Sequence, residues 1–115
     1  MKYAFMNERD IQLIKHINIH YQELLEEMNG INSLEEFKKG GVIVKAVKMD
    51  ILQIAENVNC LTNETSNRLD SKDLRGIVDV RNHIAHGYVY VNDDIIWDVI
   101  QDRLPKLISE INLLK

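Results

Sequence analysis

The stretch LRGIVDVRNHIAHGYVYV, Leu74 to Val91, decides how this chain is read. Up to Gly87 its apolar residues Leu74, Ile77, Val78, Ile84 and Ala85 recur at helical spacing. Ser71 stands before them as a cap, and Gly87 is a natural end. The following YVYV has strand-like residues. Four residues without an evident pairing partner make a poor strand, so the segment predicts no sheet. The reading is therefore helical through this stretch, and the same pattern extends along the chain in both directions.

Toward the N-terminus, Asn7–Met28 is predicted as a long helix. Asn7 caps it, and Glu8 and Asp10 lie in the first turn, where the helix dipole favours negative charge. One apolar row runs through Ile11, Ile14, Tyr21, Leu25 and Met28, with Asn18 in the heptad position. A second runs through Leu13, Ile17 and Leu24. Gly30 ends this helix. SLEE, Ser33 to Glu36, is a capping box that opens a short helix stopping at Gly40-Gly41. Val42–Val58 follows, with Val44, Val47, Ile51, Ile54 and Val58 on one face. Asn59 to Asp70 is polar and reads as a loop with room for a helical turn.

Toward the C-terminus, Asn92, Asp93 and Asp94 open a last long helix lined by residues from Ile95 to Leu114. Pro105 is expected to kink it. Residues 1–6 fit none of these patterns and read as a flexible arm ahead of a 7–115 domain. Together these elements predict an all-α, antiparallel up-and-down bundle of four longer helices plus a short one.

A chain of 115 residues supports one core. It has no run near the ~18 apolar residues of a membrane span, and no signal-peptide order at its start. The expectation is a soluble, cytoplasmic protein with no membrane partner. One cysteine, Cys60, excludes an internal disulfide and a cysteine metal cage, and reads as a small apolar residue. Net charge is −4, from 14 basic and 18 acidic side chains. That argues against a general nucleic-acid coat, which needs a basic stripe, but leaves room for a local site for one or two phosphates.

DVRNHIAHGYVY, Asp79 to Tyr90, concentrates reactive side chains. Residues four apart stack on one helix face, so Asn82 meets His86, and Asp79 meets His83. Arg81 precedes His86 by five, about 140° round an ideal helix, within reach of a long side chain. Arginine holds phosphate with a flat fork of donors and keeps its charge at neutral pH. Histidine exchanges a proton near pH 7, worth roughly 10²–10⁴ in rate. On RNA, such a base can activate a ribose 2′-hydroxyl against its own phosphate, with arginine stabilising the developing charge. That route needs no metal or other cofactor.

RNHIAHGY carries an arginine, four residues, a histidine, one residue and a tyrosine, and so resembles the motif of the HepT-like toxins in the HEPN ribonuclease superfamily. MNERD, LQIAEN, LRGIVDVRNHIAHGY and IIWDVIQDRLPKL resemble other segments of that family, with Ala55 where a glycine is common. The resemblance runs from Met6 nearly to the end. It implies an all-α homodimer with the motif helices facing each other, and a metal-independent endoribonuclease acting as the toxin of a toxin–antitoxin pair. Arg81 and His86 take its catalytic positions, with Asn82 beside them. The implied partners are RNA and an MntA-type nucleotidyltransferase antitoxin that adenylylates Tyr88. Tyr90 is a second candidate acceptor.

Each of these residues also has a plainer reading. Arg81 can pair with an acid on another helix, Asn82 can bridge helices, and His86 can satisfy carbonyls at a helix end. Tyr88 and Tyr90 can pack against that end. Asp79, His83 and His86 at i, i+4 and i+7 could hold a metal, although no fourth ligand is evident. His16 and His20 read as a solvated pair, Trp97 as core, and Glu56 as a surface or interhelical partner. The whole chain can alternatively be a non-catalytic helical platform for a nucleotidyltransferase.

Overall fold

In a computed structural model, the described residues are 6–87 and 92–114. Among them there is no strand, and the fold is an all-α bundle. The helices are α1 (Glu8–Glu27), α2 (Leu34–Lys39), α3 (Gly41–Asn59), α4 (Asn63–Ser66), α5 (Ser71–Gly87), α6 (Asp93–Asp98) and α7 (Leu104–Leu113). A widened π turn, Val99–Arg103, joins α6 to α7. YVYV, Tyr88 to Val91, lies outside the described residues.

Local chemistry fixes the helix starts. The Asn7, Ser33 and Asn92 side chains accept from the backbone N–H of Asp10, Glu36 and Asp94, as their sequence context predicts. At α5 the cap differs from expectation. Asp70, not Ser71, accepts from Lys72 N–H at 2.8 Å and Asp73 N–H at 3.3 Å. One oxygen, Asp70 Oδ1, gathers both orphan donors, and its charge suits the positive end of the helix dipole. The polar Asn59–Asp70 segment contains α4, capped by Thr62.

α1 packs on α3, α3 on α5, α5 on α7, and α7 returns to α1, which closes the bundle. Asp10 at the start of α1 binds Thr62 just past the end of α3, so these two helices are antiparallel. Asp70 N–H, at the start of α5, donates to Glu110 near the end of α7 at 2.7 Å, giving α5 and α7 the same relation. Ile14, Ile17, Leu24, Val47, Ile51, Ile54, Ile84, Leu104, Leu107 and Ile111 are fully or almost fully buried between them. The buried face of α1 takes Ile14 from one expected row and Ile17 and Leu24 from the other, while Leu25 is exposed. Asn18, in the heptad gap, exchanges amide bonds of 3.0 Å with Asn112 of α7. Met6, assigned by sequence to the arm, is buried in the core.

The expected last long helix runs without a break from Asp93 to Leu113, with a π turn inside it. Proline lacks the N–H that a regular helix needs, and its ring clashes with the carbonyl four residues earlier. The chain meets this before Pro105 by widening one turn, with Leu104 N–H reaching back to Val99 O. Trp97 is only partly buried, its ring 5.7 Å from Phe37. Cys60, expected to be apolar packing, is exposed at the end of α3.

Asp10 is a buried charge, fully out of contact with solvent. It accepts from Thr62 N–H at 3.2 Å and from the Thr62 and Thr65 hydroxyls at 2.6 Å each. Burial alone would raise its pKa, but these bonds outweigh burial and hold it below 3.8. The network fastens α4 to the start of α1. Among the described residues, no helix is long and apolar enough to cross a membrane.

Candidate active site

The last two turns of α5 carry Arg81, Asn82, His83 and His86. Ile77, Val80 and Ile84 on the same helix are buried and fix its rotation. Asn82, His83 and His86 are consequently exposed, and Arg81 sits at the margin with α3. The wall opposite is the start of α6. It is pinned by Lys48 Nζ to Asp93 at 3.2 Å and by Lys38 Nζ to Asp94 at 2.6 Å.

Between these elements runs an open groove of about 530 Å³, lined by Val80, Asn82, His83, His86, Gly87, Asn92 and Ile95. It continues into a second hollow of about 320 Å³ that shares Val80, His83 and Ile95 and adds Gly76, Asp79, Asp98 and Arg103. Gly76 faces the far end of a flexible side chain. A Cβ there would stand 2.6 Å from Arg103 Nη1, so the bare backbone lets that guanidinium lie against α5.

Arg81 does not reach across the helix toward His86. Its Nε–H donates to Glu56 Oε1 of α3 at 2.5 Å, and its Nη1–H donates to Asn82 Oδ1 at 3.0 Å. Glu56 holds the guanidinium pKa above its ordinary value, so the charge is permanent. The interhelical pairing considered for both Arg81 and Glu56 is thus present within one chain. Asn82 is the link, since it holds Arg81 and lines the groove with His86.

The suggested metal set of Asp79, His83 and His86 does not converge. Among the described residues, the groupings of three that could hold an ion are His20–Glu23–Asp50 and Asp70–Asp73–Glu110. His20 is accordingly not half of a solvated pair with His16. It is partly buried and faces Glu23 and Asp50, while His16 is exposed. Tyr88 and Tyr90 lie outside the described residues.

Comparison with known proteins adds what one chain cannot. The ribonuclease HepT-like family model matches residues 18–114. The chain belongs to this HepT-like family. A protein of Caldanaerobacter subterraneus subsp. tengcongensis, named "Putative RNase", is 30% identical over 98 residues, 85% of this chain and 87% of its own length. One of Methanocaldococcus jannaschii with the same descriptor is 28% identical over 103 residues, 84% of this chain and 85% of its own. No solved structure matches. The HepT-like match spans both walls of the groove, α5 and α6. Asn92, Ile95, Asp98 and Arg103 line it without having been singled out by sequence. They lie along the start of the last helical rod, from the α6 cap to the π turn, and only packing turns them toward α5.

Proposed function

We propose that this chain is a metal-independent endoribonuclease, the toxin of a toxin–antitoxin pair, with Arg81, His86 and Asn82 as catalytic residues. The observation that carries the proposal is the position of Asn82, which holds the Arg81 guanidinium and lines the groove that His86 also lines. His86 takes the proton from a ribose 2′-hydroxyl as O2′ attacks the adjacent phosphorus. The P–O5′ bond breaks, and a protonated imidazole from a second subunit returns a proton to O5′. The products are a 2′,3′-cyclic phosphate and a 5′-hydroxyl. Arg81 stabilises the charge on the phosphoryl oxygens.

The second imidazole requires a homodimer with the α5 helices facing each other, so that two-fold symmetry doubles every group in the cleft. The half-exposed Ile95 beside the groove suits such a contact. Doubling also concentrates cationic side chains on a chain of net charge −4. The antitoxin is an MntA-type nucleotidyltransferase that adenylylates Tyr88, with Tyr90 as a second acceptor. Each adenylyl group adds bulk and a negative phosphodiester two residues from His86, which repels RNA phosphates.

The test is RNA cleavage by unmodified protein, beside His86→Ala and beside protein co-expressed with the nucleotidyltransferase. Cleavage lost by roughly 10²–10⁴ in His86→Ala, with the dimer still folded, supports the assignment. A variant as active as the parent refutes the role of His86. A second reading, a non-catalytic platform for the nucleotidyltransferase, draws on the Arg81–Glu56 pair, which occupies the guanidinium inside the chain. Complex formation with no cleavage of any RNA selects that reading.

A further inference from the structure

On the side of the bundle where α1 faces α3, His20 and Glu23 come from one turn of α1 and Asp50 from α3. His20 Nδ1 stands 3.5 Å from Glu23 Oε2 and 3.7 Å from Asp50 Oδ1. Both separations lie at or beyond the limit of a useful hydrogen bond. The imidazole Nδ1 is shielded from solvent and has no hydrogen-bond partner among the described residues. Asp50 is 6% exposed, and its Oδ2 is likewise buried and unpartnered. Buried polar atoms in a folded protein are almost always satisfied, so two orphans in one cluster require an explanation.

We propose that His20, Glu23 and Asp50 hold one divalent d-block cation, for which zinc is the probe, clamping α1 to α3. Zinc sits about 2.0–2.2 Å from nitrogen and carboxylate oxygen, which sets neighbouring ligands of a tetrahedron roughly 3.3–3.6 Å apart. The His20–Glu23 spacing of 3.5 Å falls within that range, and the His20–Asp50 spacing of 3.7 Å lies just beyond it. One ligand atom from each of the three residues lies within 4.8 Å of the others. Spacing of i, i+3 on one helix with a carboxylate from its neighbour is how helical bundles place metal ligands. Half-exposed Glu23 opens the site to a shallow hollow flanked by Glu27, Ala46 and Met49, which admits the ion and leaves a coordination position for water. An imidazole with two carboxylates suits zinc, manganese or iron(II) better than magnesium, which prefers oxygen and keeps its waters. The site lies outside the Arg81–His86 groove, and the cation takes no part in RNA chemistry.

The experiment starts from full-length protein stripped with chelator and measures zinc by equilibrium dialysis. One equivalent per chain is expected. At free zinc about a hundredfold over Kd, the melting temperature rises by roughly 10 °C. Cobalt(II) in place of zinc gives the intense visible bands of tetrahedral coordination. His20→Gln and Asp50→Asn each weaken zinc binding by about 100-fold or more, since losing even an outer-shell partner costs 10–100-fold. His83→Ala and His86→Ala keep the equivalent. Should either ligand variant fail to fold, cobalt(II) broadening in the parent locates the ion, strongest at the His20 ring and weak at His83 and His86. No saturable equivalent in the parent overturns the proposal. So does an equivalent retained by folded His20→Gln protein, or broadening centred on His83 or His86. In each of these cases the imidazole and carboxylates hold only protons between them. RNA cleavage assayed with and without chelator reports separately on the groove.

Discussion

Replacing Arg81 with lysine keeps the positive charge and removes the fork. The guanidinium has five N–H donors. The Nε–H is committed to Glu56 and one Nη1–H to Asn82, so three remain, one on Nη1 and two on Nη2. Donors on two nitrogens can grip two phosphoryl oxygens at once. A lysine ammonium places its donors on one nitrogen, and bonding to Glu56 draws that nitrogen away from the groove. Long-range attraction for RNA survives, whereas two-point stabilisation of the transition state does not. The expected result for Arg81→Lys is a single-turnover cleavage rate lower by about 10²–10³, the scale for losing one preorganised donor. RNA affinity should change only a few-fold. The assay is cleavage of a short fluorescent RNA with unmodified protein in excess, with Arg81→Ala alongside to remove the charge as well. A lysine variant within about threefold of the parent refutes the bidentate argument and leaves Arg81 as a point charge.

Asp10→Ala removes three hydrogen bonds to a buried carboxylate and should cost about 3–4 kcal/mol in urea unfolding. Because the folded pKa of Asp10 is lowered, its contribution is present above 3.8 and is lost as pH falls through the lowered value. The parent should therefore lose stability in acid that Asp10→Ala never had. Asp50 behaves oppositely. Burial, and then the Glu27 and Glu23 carboxyls, push its pKa up to about 8 in metal-free protein. Its contribution is complete below 3.8 and is lost as pH rises through 8. Urea midpoints in chelator should fall for the parent between pH 5 and pH 9 relative to Asp50→Asn, and parallel profiles would contradict this. Asn112→Ala should cost about 1–2 kcal/mol by stranding Asn18 Oδ1, while Asn18 Nδ2 keeps Ile14 O, and a cycle with Asn18→Ala should return a coupling near 1 kcal/mol.

The bundle was readable because its signals are local. Asn7, Ser33 and Asn92 cap through bonds three residues long or shorter, and the apolar positions of α3 repeat within one helix. What sequence reading missed depends on distance or on competition. Asp10 looks like a residue favouring the helix dipole until Thr62 and Thr65, more than fifty positions away, close over it. Asp70, which reads as part of a loop, takes the cap from Ser71 through two carboxylate bonds. Pro105 announced a disturbance, but its form, a widened turn upstream, depended on keeping both halves of the rod against the core. That Asn82 and His86 line the same groove followed from helical spacing. The turn of Arg81 toward Glu56 did not, because that acid lies 25 residues earlier on another helix.

The π turn before Pro105 is also a place where chain length can change. It holds one residue more than a regular turn, and Arg103, which lies on Gly76, belongs to it. A homologue without the proline could close that turn, become one residue shorter and still present the same faces on either side. Closing it would withdraw the guanidinium from α5 and open the space over Gly76. Across the family these three changes should be inherited as a set.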